Sequence, residues 1–272
     1  MGFKILKYPV FLCFVVSSVF AGAWTRGKGS ILLVPYYYFY QASGYYDTNW
    51  KFNLLQNGGY FDGLGFGLYF EYGFSDRLNL VGNFSFVRNR WIDNYNYKSN
   101  SDFGDFEIGL KFKIFESRFV LSFQTLAIIP AYSMDREPLV GYGEYAGEVK
   151  ILFAGGLRPF SLNSYFNIEL GYRRFYSKVA PQVRFQILYG INLGWKWQAI
   201  FQIDGVNSIG EGTFSTRFNP SIETDYNEGK LSVSLAHRFT YKAWFQAGVF
   251  YDVYGRKIGA GRGFFIALWI EI

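Results

Sequence analysis

Charge is scarce in this sequence, and so are cysteine, histidine, proline and methionine. Of 272 residues 18% are charged, and there are 1 Cys, 1 His, 7 Pro and 2 Met. A soluble domain carries roughly 25% charged residues. The single cysteine, Cys13, lies in an apolar run near the start, so the remainder has no thiol. That excludes a disulfide framework, a thiol nucleophile and a Cys-ligated metal. The lone His237 cannot build a structural metal site and no calcium loop is present, so neither metal nor cofactor is expected. Lys and Arg total 27 against 21 Asp and Glu, with no charge block, which argues against a nucleic-acid partner. Beyond residue 23 no apolar stretch is long enough for a transmembrane helix, which excludes a helical membrane protein. No Pro/Ser-rich linker or composition shift divides the chain, so one domain is expected.

The start of the chain reads as a secretory leader. Lys4 and Lys7 form a positive region, Val10 to Val16 is unbroken apolar sequence, and Ala21-Gly22-Ala23 is an A-x-A cleavage site. The expectation is a cleaved signal peptide over 1–23 and a single domain over 24–272, beginning at Trp24.

What is plentiful is aromatic side chains, at 22%, and glycine, at 31 residues. They sit in segments that alternate with period two, the mark of strands rather than helices. Leu78, Leu80, Gly82, Phe84 and Phe86 alternate with Asn79, Val81, Asn83 and Ser85. Phe106, Ile108, Leu110 and Phe112 alternate with Glu107, Gly109, Lys111 and Lys113. Phe166, Ile168, Leu170 and Tyr172 alternate with Asn167, Glu169, Gly171 and Arg173. One face is apolar and the other polar. The segments run to about ten to fourteen residues, longer than the five or six usual in soluble sheets. Tilted strands of about nine to eleven residues suit a bilayer-spanning barrel.

Strands are expected near 29–41, 60–73, 77–91, 103–116, 117–131, 144–156, 164–176, 181–193, 195–207, 226–239, 243–254 and 262–272. The gaps alternate. Short ones fall at 74–76, 116/117, 157–163, 194 and 240–242. Long ones fall at 42–59, 92–102, 132–143 and 208–225, with smaller members at 177–180 and 255–261. Short turns on one rim and long loops on the other are expected of an outer-membrane barrel. The fold class is therefore all-β: a single antiparallel up-and-down transmembrane barrel of about twelve strands, with both termini in the periplasm. Tyr36 to Tyr40, Trp91, Trp195, Trp197, Trp244 and Trp269 are expected to form interfacial girdles.

Four pieces resemble a known family: Ala23-Trp24-Thr25-Arg26-Gly27-Lys28-Gly29, Glu71-Tyr72-Gly73-Phe74-Ser75-Asp76-Arg77-Leu78, Phe103-Gly104-Asp105-Phe106-Glu107-Ile108-Gly109-Leu110-Lys111, and Glu169-Leu170-Gly171-Tyr172-Arg173. They are similar to bacterial outer-membrane barrels grouped as transporters of the meta-pathway phenol-degradation type. The resemblance implies an outer-membrane barrel that passes hydrophobic or aromatic small molecules, and it implies no catalytic residue. Asp76 can cap a tight turn and Arg77 opens the next strand. The chain ends in Ile272 rather than an aromatic, with Trp269 close by.

In such a barrel the polar face points inward, because Arg or Lys on the lipid face at mid-bilayer costs roughly 2–4 kcal/mol. The expected lumen residues are Glu107, Lys111, Lys113, Glu169, Arg173, Arg184, Lys196, Gln198, Gln202, Asp204 and Arg238. They either pair and hold a narrow barrel closed or line a solute path. Tyr45, Tyr46, Trp50, Trp91, Tyr95 and Tyr97 are candidate ligand-selecting residues of the outer loops. His237 has the parity of the lipid face, opposite to Ser232 and Ser234, so no Ser–His pair is expected. Gly141-x-Gly143-x-x-Ala146 lacks the strand-to-helix context of a dinucleotide site. Gly63-x-Gly65-x-Gly67 and Gly259-x-Gly261-x-Gly263 are read as relief of crowding in strands.

The expected function is passive, non-enzymatic passage or capture of small molecules. Expected partners are outer-membrane lipid, the barrel-assembly machinery and an unidentified solute. The rival readings are a structural or surface-display barrel with a plugged lumen, and a lipid-modifying barrel enzyme.

Overall fold

The computed structural model describes residues 22–159, 162–213 and 223–272. Of the expected leader only Gly22 and Ala23 fall among them. No described helix is long and apolar enough to cross a membrane. Strands do that work. They are β1 (Ile31–Tyr46), β2 (Phe52–Leu54), β3 (Tyr60–Gly73), β4 (Leu78–Ile92), β5 (Tyr97–Phe103), β6 (Asp105–Glu116) and β7 (Phe119–Pro130). Then follow β8 (Ala146–Leu157), β9 (Ser164–Phe175), β10 (Gln182–Leu193), β11 (Trp197–Ser208), β12 (Asn227–Thr240), β13 (Ala243–Arg256) and β14 (Ile258–Glu271).

Twelve of these form one antiparallel sheet in chain order, and β14 pairs β1 from Leu32↔Glu271 to Tyr46↔Ile258 to close it. Closure pairs every wall strand on both sides, which a backbone in hydrocarbon requires. The two additional strands extend the wall. β2 adds to the end of β1, and β5 continues the line of β6 past Gly104 to pair the upper part of β4. Twelve long strands agree with the alternation in the sequence. Three expected gaps differ: most of 92–102 is taken by β5, whose polar Tyr97–Asp102 run shows no apolar period. β1 runs on to Tyr46, and the gap expected at 255–261 is a tight turn at Lys257, whose φ is 55°. The alternation is lost there because Gly259, Gly261 and Gly263 present no side chains to read.

Outward positions carry Phe66, Phe84, Phe112, Phe123, Ile151, Leu170, Ile187, Phe201, Leu231, Val249 and Ile266, all exposed. A water-soluble surface rarely leaves a contiguous apolar patch larger than a few hundred Å². This belt encircles the barrel and fits hydrocarbon.

The inside is not uniformly polar. On the arc of β1, β3, β4, β13 and β14 the inward positions are Leu32, Val34, Tyr36, Tyr38, Tyr40, Phe61, Trp91, Phe250 and Phe265, all buried in one cluster. Tyr36, Tyr38 and Tyr40 therefore fill the lumen instead of capping the strand. Trp91 is 1% exposed and inside as well. Trp244 and Trp269 also point inward, leaving Trp195 and Trp197 exposed at the short-turn rim. The glycine runs explain the tyrosines: a Cβ at Gly65 would stand inside the Tyr38 ring, and one at Gly67 inside the Tyr36 ring. The rings lie flat across glycines of the neighbouring strand, an aromatic–glycine pairing that also pins register.

A lumen filled by ions and rings

The middle of the lumen is a network of ions centred on β6, β8 and β9 and joined by Glu71 of β3. Arg173 Nε donates to Glu148 at 2.5 Å and its Nη2 donates to Glu107 at 2.7 Å. Lys150 stands 3.5 Å from both Glu148 and Glu169. Lys111 Nζ donates to Glu71 at 2.6 Å, and Glu71 also accepts from the Tyr69 hydroxyl and from Asn79. Lys111, Arg173, Glu71 and Glu148 are all buried. Buried ions cost several kcal/mol each to desolvate unless they pair, and here each acid meets a base.

A second, smaller ion group sits against the aromatic wall. Lys230 donates to Glu228 at 2.8 Å and lies 3.7 Å from Asp252. Asp252 accepts from the Tyr40 hydroxyl at 2.8 Å and from the Gly261 N–H at 2.9 Å.

At the end carrying the short turns, the segment that precedes β1 enters the lumen, through Gly22 and Ala23 of the expected leader and then Trp24. Ala23 N–H donates to Asn167, Ser122 donates to the Ala23 carbonyl, and Lys111 donates to the Gly22 carbonyl at 3.0 Å. Trp24 then lies edge-on to Tyr165. Beside it is a cavity of about 210 Å³ lined by Trp24, Tyr165, Trp244, Trp269, Leu188 and Ile200, with Asn167, Gln198 and Gln246. The amides are engaged: Gln198 accepts from the Tyr165 hydroxyl and Gln246 from the Trp269 indole.

The other end is closed by the connection 131–145, which folds over the mouth. Leu139 and Tyr142 are buried against Phe175, Val179, Val206, Tyr226 and Ile258. Hydrogen bonds to several strands and loops hold it: Tyr132 donates to Asp105, the Ser133 N–H to Asp102, Tyr142 to the Glu223 carbonyl and the Tyr176 N–H to the Tyr145 carbonyl. Asn89 donates to the Leu139 carbonyl at 2.9 Å, Asn100 donates to the Pro138 carbonyl at 3.1 Å, and Lys98 pairs with Glu137.

The expected lumen residues separate by position. Glu107, Lys111, Glu169 and Arg173 are buried in the central network, and Arg184, Gln202 and Asp204 point inward beside it. Gln202 donates to Asp204 at 2.7 Å. Gln198 borders the lower cavity. Lys113, Lys196 and Arg238 stand at the short-turn rim instead: Lys113 pairs with Glu116, Lys196 lies over Trp195, and Arg238 over Trp244. Glu71, Glu148, Lys150, Glu228, Lys230 and Asp252 also point inward, beyond the expected set. Parity marks them as clearly as the rest, since Glu148 and Lys150 alternate with Val149 and Ile151.

The six candidate loop residues do not gather. Tyr45 and Tyr46 belong to β1, where Tyr46 donates to the Asp252 carbonyl. Trp91 is buried in the lumen and donates to Asp93. Trp50, Tyr95 and Tyr97 are exposed. Trp50 leans on Tyr254, and Tyr97 opens β5. His237 faces outward between Trp197 and Phe239, while Ser232 and Ser234 are buried inside. No group of three metal-ligating side chains occurs among the described residues.

No family model and no curated protein matches the sequence. Solved structures match the fold. The chain is similar to an outer membrane channel from Pseudomonas putida F1, with a TM-score of 0.71 at 11% identity over 92% of this chain and 98% of that one. It is also similar to the transport unit of the autotransporter AIDA-I from Escherichia coli, with a TM-score of 0.50 at 10% identity over 93% of each chain. Both likenesses are of architecture: an outer-membrane type of β-barrel.

Proposed function

We propose that this chain is an outer-membrane channel, non-enzymatic, held in a closed state, with its long connections outside and both termini in the periplasm. The observation that carries the reading is the nature of the closure over the mouth. The connection 131–145 is not a wall strand; side-chain hydrogen bonds, one ion pair and a small apolar cluster hold it. Displacing it would leave the wall pairing intact. A barrel serving only as an anchor gains nothing from buried ions, which an apolar filling would replace at equal or better stability. In an opened barrel the same ions become the wetted wall of a path, where charge and width select the solute.

The solute class in this reading is small, hydrophobic or aromatic molecules. Support comes from the aromatic inner wall and from the cavity beside Trp24, Trp244 and Trp269. An apolar cavity of about 150 Å³ already admits benzene.

Planar-bilayer conductance tests the proposal. The wild-type barrel is expected to conduct rarely. Shortening the 131–145 connection to a Gly/Ser link is expected to give discrete steps, and Lys150→Gln in that background to shift selectivity towards cations. A shortened barrel that folds yet stays silent at every voltage would overturn the channel reading in favour of a structural barrel.

A further inference from the structure

The apolar belt ends unevenly. Near the end with long connections, outward positions of four neighbouring strands form one row: Arg262 on β14, Gln41 on β1, Asp62 on β3 and Arg90 on β4. The register is Gln41↔Arg262, Gln41↔Asp62 and Asp62↔Arg90. The next row towards the short turns reads Phe264, Phe39, Leu64 and Arg88, and the one after it Ile266, Tyr37, Phe66 and Phe86. Arg90 is neutralised by a two-pronged pair with Asp62, at 2.8 Å from Nε to Oδ1 and 2.8 Å from Nη2 to Oδ2. Arg88 and Arg262 have no acidic partner among the described residues, and the buried Nε of Arg88 has no hydrogen bond. Two unneutralised guanidinium groups thus stand at the upper edge of a hydrocarbon-facing surface. The opposite arc, β6 to β11, offers one outward strand cation near that end, Arg174.

Next to this edge the exterior is notched. A groove of about 520 Å³ crosses β12, β13, β14 and β1, with Phe39, Leu231, Val249 and Phe264 on its apolar flank and Arg262 and Gln41 at its head. Such a groove fits an acyl chain below and an anion above. Guanidinium suits phosphate because its planar donors bind two oxygens at once. The strands bearing Arg262 and Arg88 are three spacings apart, about 14 Å at 4.7–4.9 Å per strand. One phosphate cannot meet both side chains easily, whereas a headgroup with a phosphate at each end can.

We propose that this arc is a docking surface for an outer-leaflet glycolipid bearing two phosphates, one at Arg262 and one at Arg88, with an acyl chain in the groove beside Phe264. The surface rests on the membrane reading but not on conduction, since a silent barrel would carry it equally well. The anionic surface also lets Arg88, one row into the belt, extend its head upward to charge rather than remain in hydrocarbon.

The test uses the full chain refolded in detergent with diphosphoryl lipid A, monophosphoryl lipid A or phosphatidylcholine. Native mass spectrometry reads the lipid retained, and gel mobility in vesicles reads insertion. Wild type is expected to retain diphosphoryl lipid A best and the monophosphoryl form less. Arg88→Gln with Arg262→Gln should weaken retention roughly thirtyfold, from about 1 kcal/mol per arginine near an anionic surface. Arg174→Gln should leave retention unchanged. Equal loss in Arg174→Gln, or equal retention of phosphatidylcholine, would overturn the docking surface. A chain that inserts but binds no lipid A sinks the docking alone, and one that fails to insert sinks the membrane reading with it.

Discussion

The two halves of the lumen solve one problem in different ways. Both halves have the same strand alternation and the same apolar exterior. On β1, β3, β4, β13 and β14 the inside is filled by rings lying over glycines, as Tyr38 lies over Gly65. On β6, β8 and β9 it is filled by ions that neutralise one another, centred on Arg173 between Glu107 and Glu148. The ring half is held by shape and the ion half by charge balance. The first tolerates a change of polarity better than a change of volume, and the second the reverse.

The largest break in this comparison is expected from Arg173→Met. It keeps bulk but removes the guanidinium that both Glu107 and Glu148 contact directly, leaving Glu148 with Lys150 at 3.5 Å. Removing one partner of a buried pair costs about 3–5 kcal/mol, to be read as a lowered midpoint in denaturant titration of the vesicle-inserted barrel. Adding Glu107→Gln and Glu148→Gln should recover most of it. A harmless single substitution would show that the ion half is hydrated rather than charge-balanced.

On the ring half, Tyr38→Ala should cost about 3–5 kcal/mol, the range for truncating a large aromatic. Gly65→Ala should also destabilise, because its Cβ meets the ring. The double variant should lose less than the sum, since the ring that clashes is gone. Strict additivity would mean that ring and glycine are not coupled.

Smaller effects belong to the rims. Lys113→Ala removes a half-exposed pair with Glu116 at a turn, and exposed pairs contribute about 0–1 kcal/mol. It should move the midpoint barely at all. At the opposite rim, partial burial works to raise the Asp93 carboxyl. Hydrogen bonds from the Tyr95 N–H, the Trp91 indole and Asn96 outweigh it and hold the group below the ordinary aspartate range. A depressed value in the folded state means the bonds stabilise above the unfolded value near 3.9 and are lost as pH falls through the folded one. Amide exchange in 93–96 should therefore rise on acidification while the wall stays protected. Protection that ignores pH would show that the carboxylate does not hold the loop.

The same contrast explains what could be read in advance. On the ion half, an apolar outside against a charged inside makes the period visible, and Glu107, Lys111, Glu169 and Arg173 were found from it. On the ring half both faces are hydrophobic, so Tyr36, Tyr38 and Tyr40 looked like an interfacial cluster. Only the cross-strand register with Gly65, Gly67 and Gly261 shows them to be lumen filling. The closure over the mouth was illegible for a different reason. Nothing local tells the 131–145 connection to fold over the mouth, because its contacts with Asn89, Asn100 and Tyr226 come from distant strands. The tight turn at Lys257 was hidden by side-chain-less glycines.

The seam between β1 and β14 has a temporal consequence. Hairpins such as β13–β14 join residues near in sequence and form early, whereas the seam joins the two ends of the chain and carries the largest loop-closure cost. The ring half straddles that seam: Tyr40 packs on Phe250 and Tyr38 pairs across to Phe265. Until closure the tyrosines of β1 have only the β3 side of their site. The aromatic filling is therefore the last part of the interior to mature, and it locks the ring of strands at the moment of sealing.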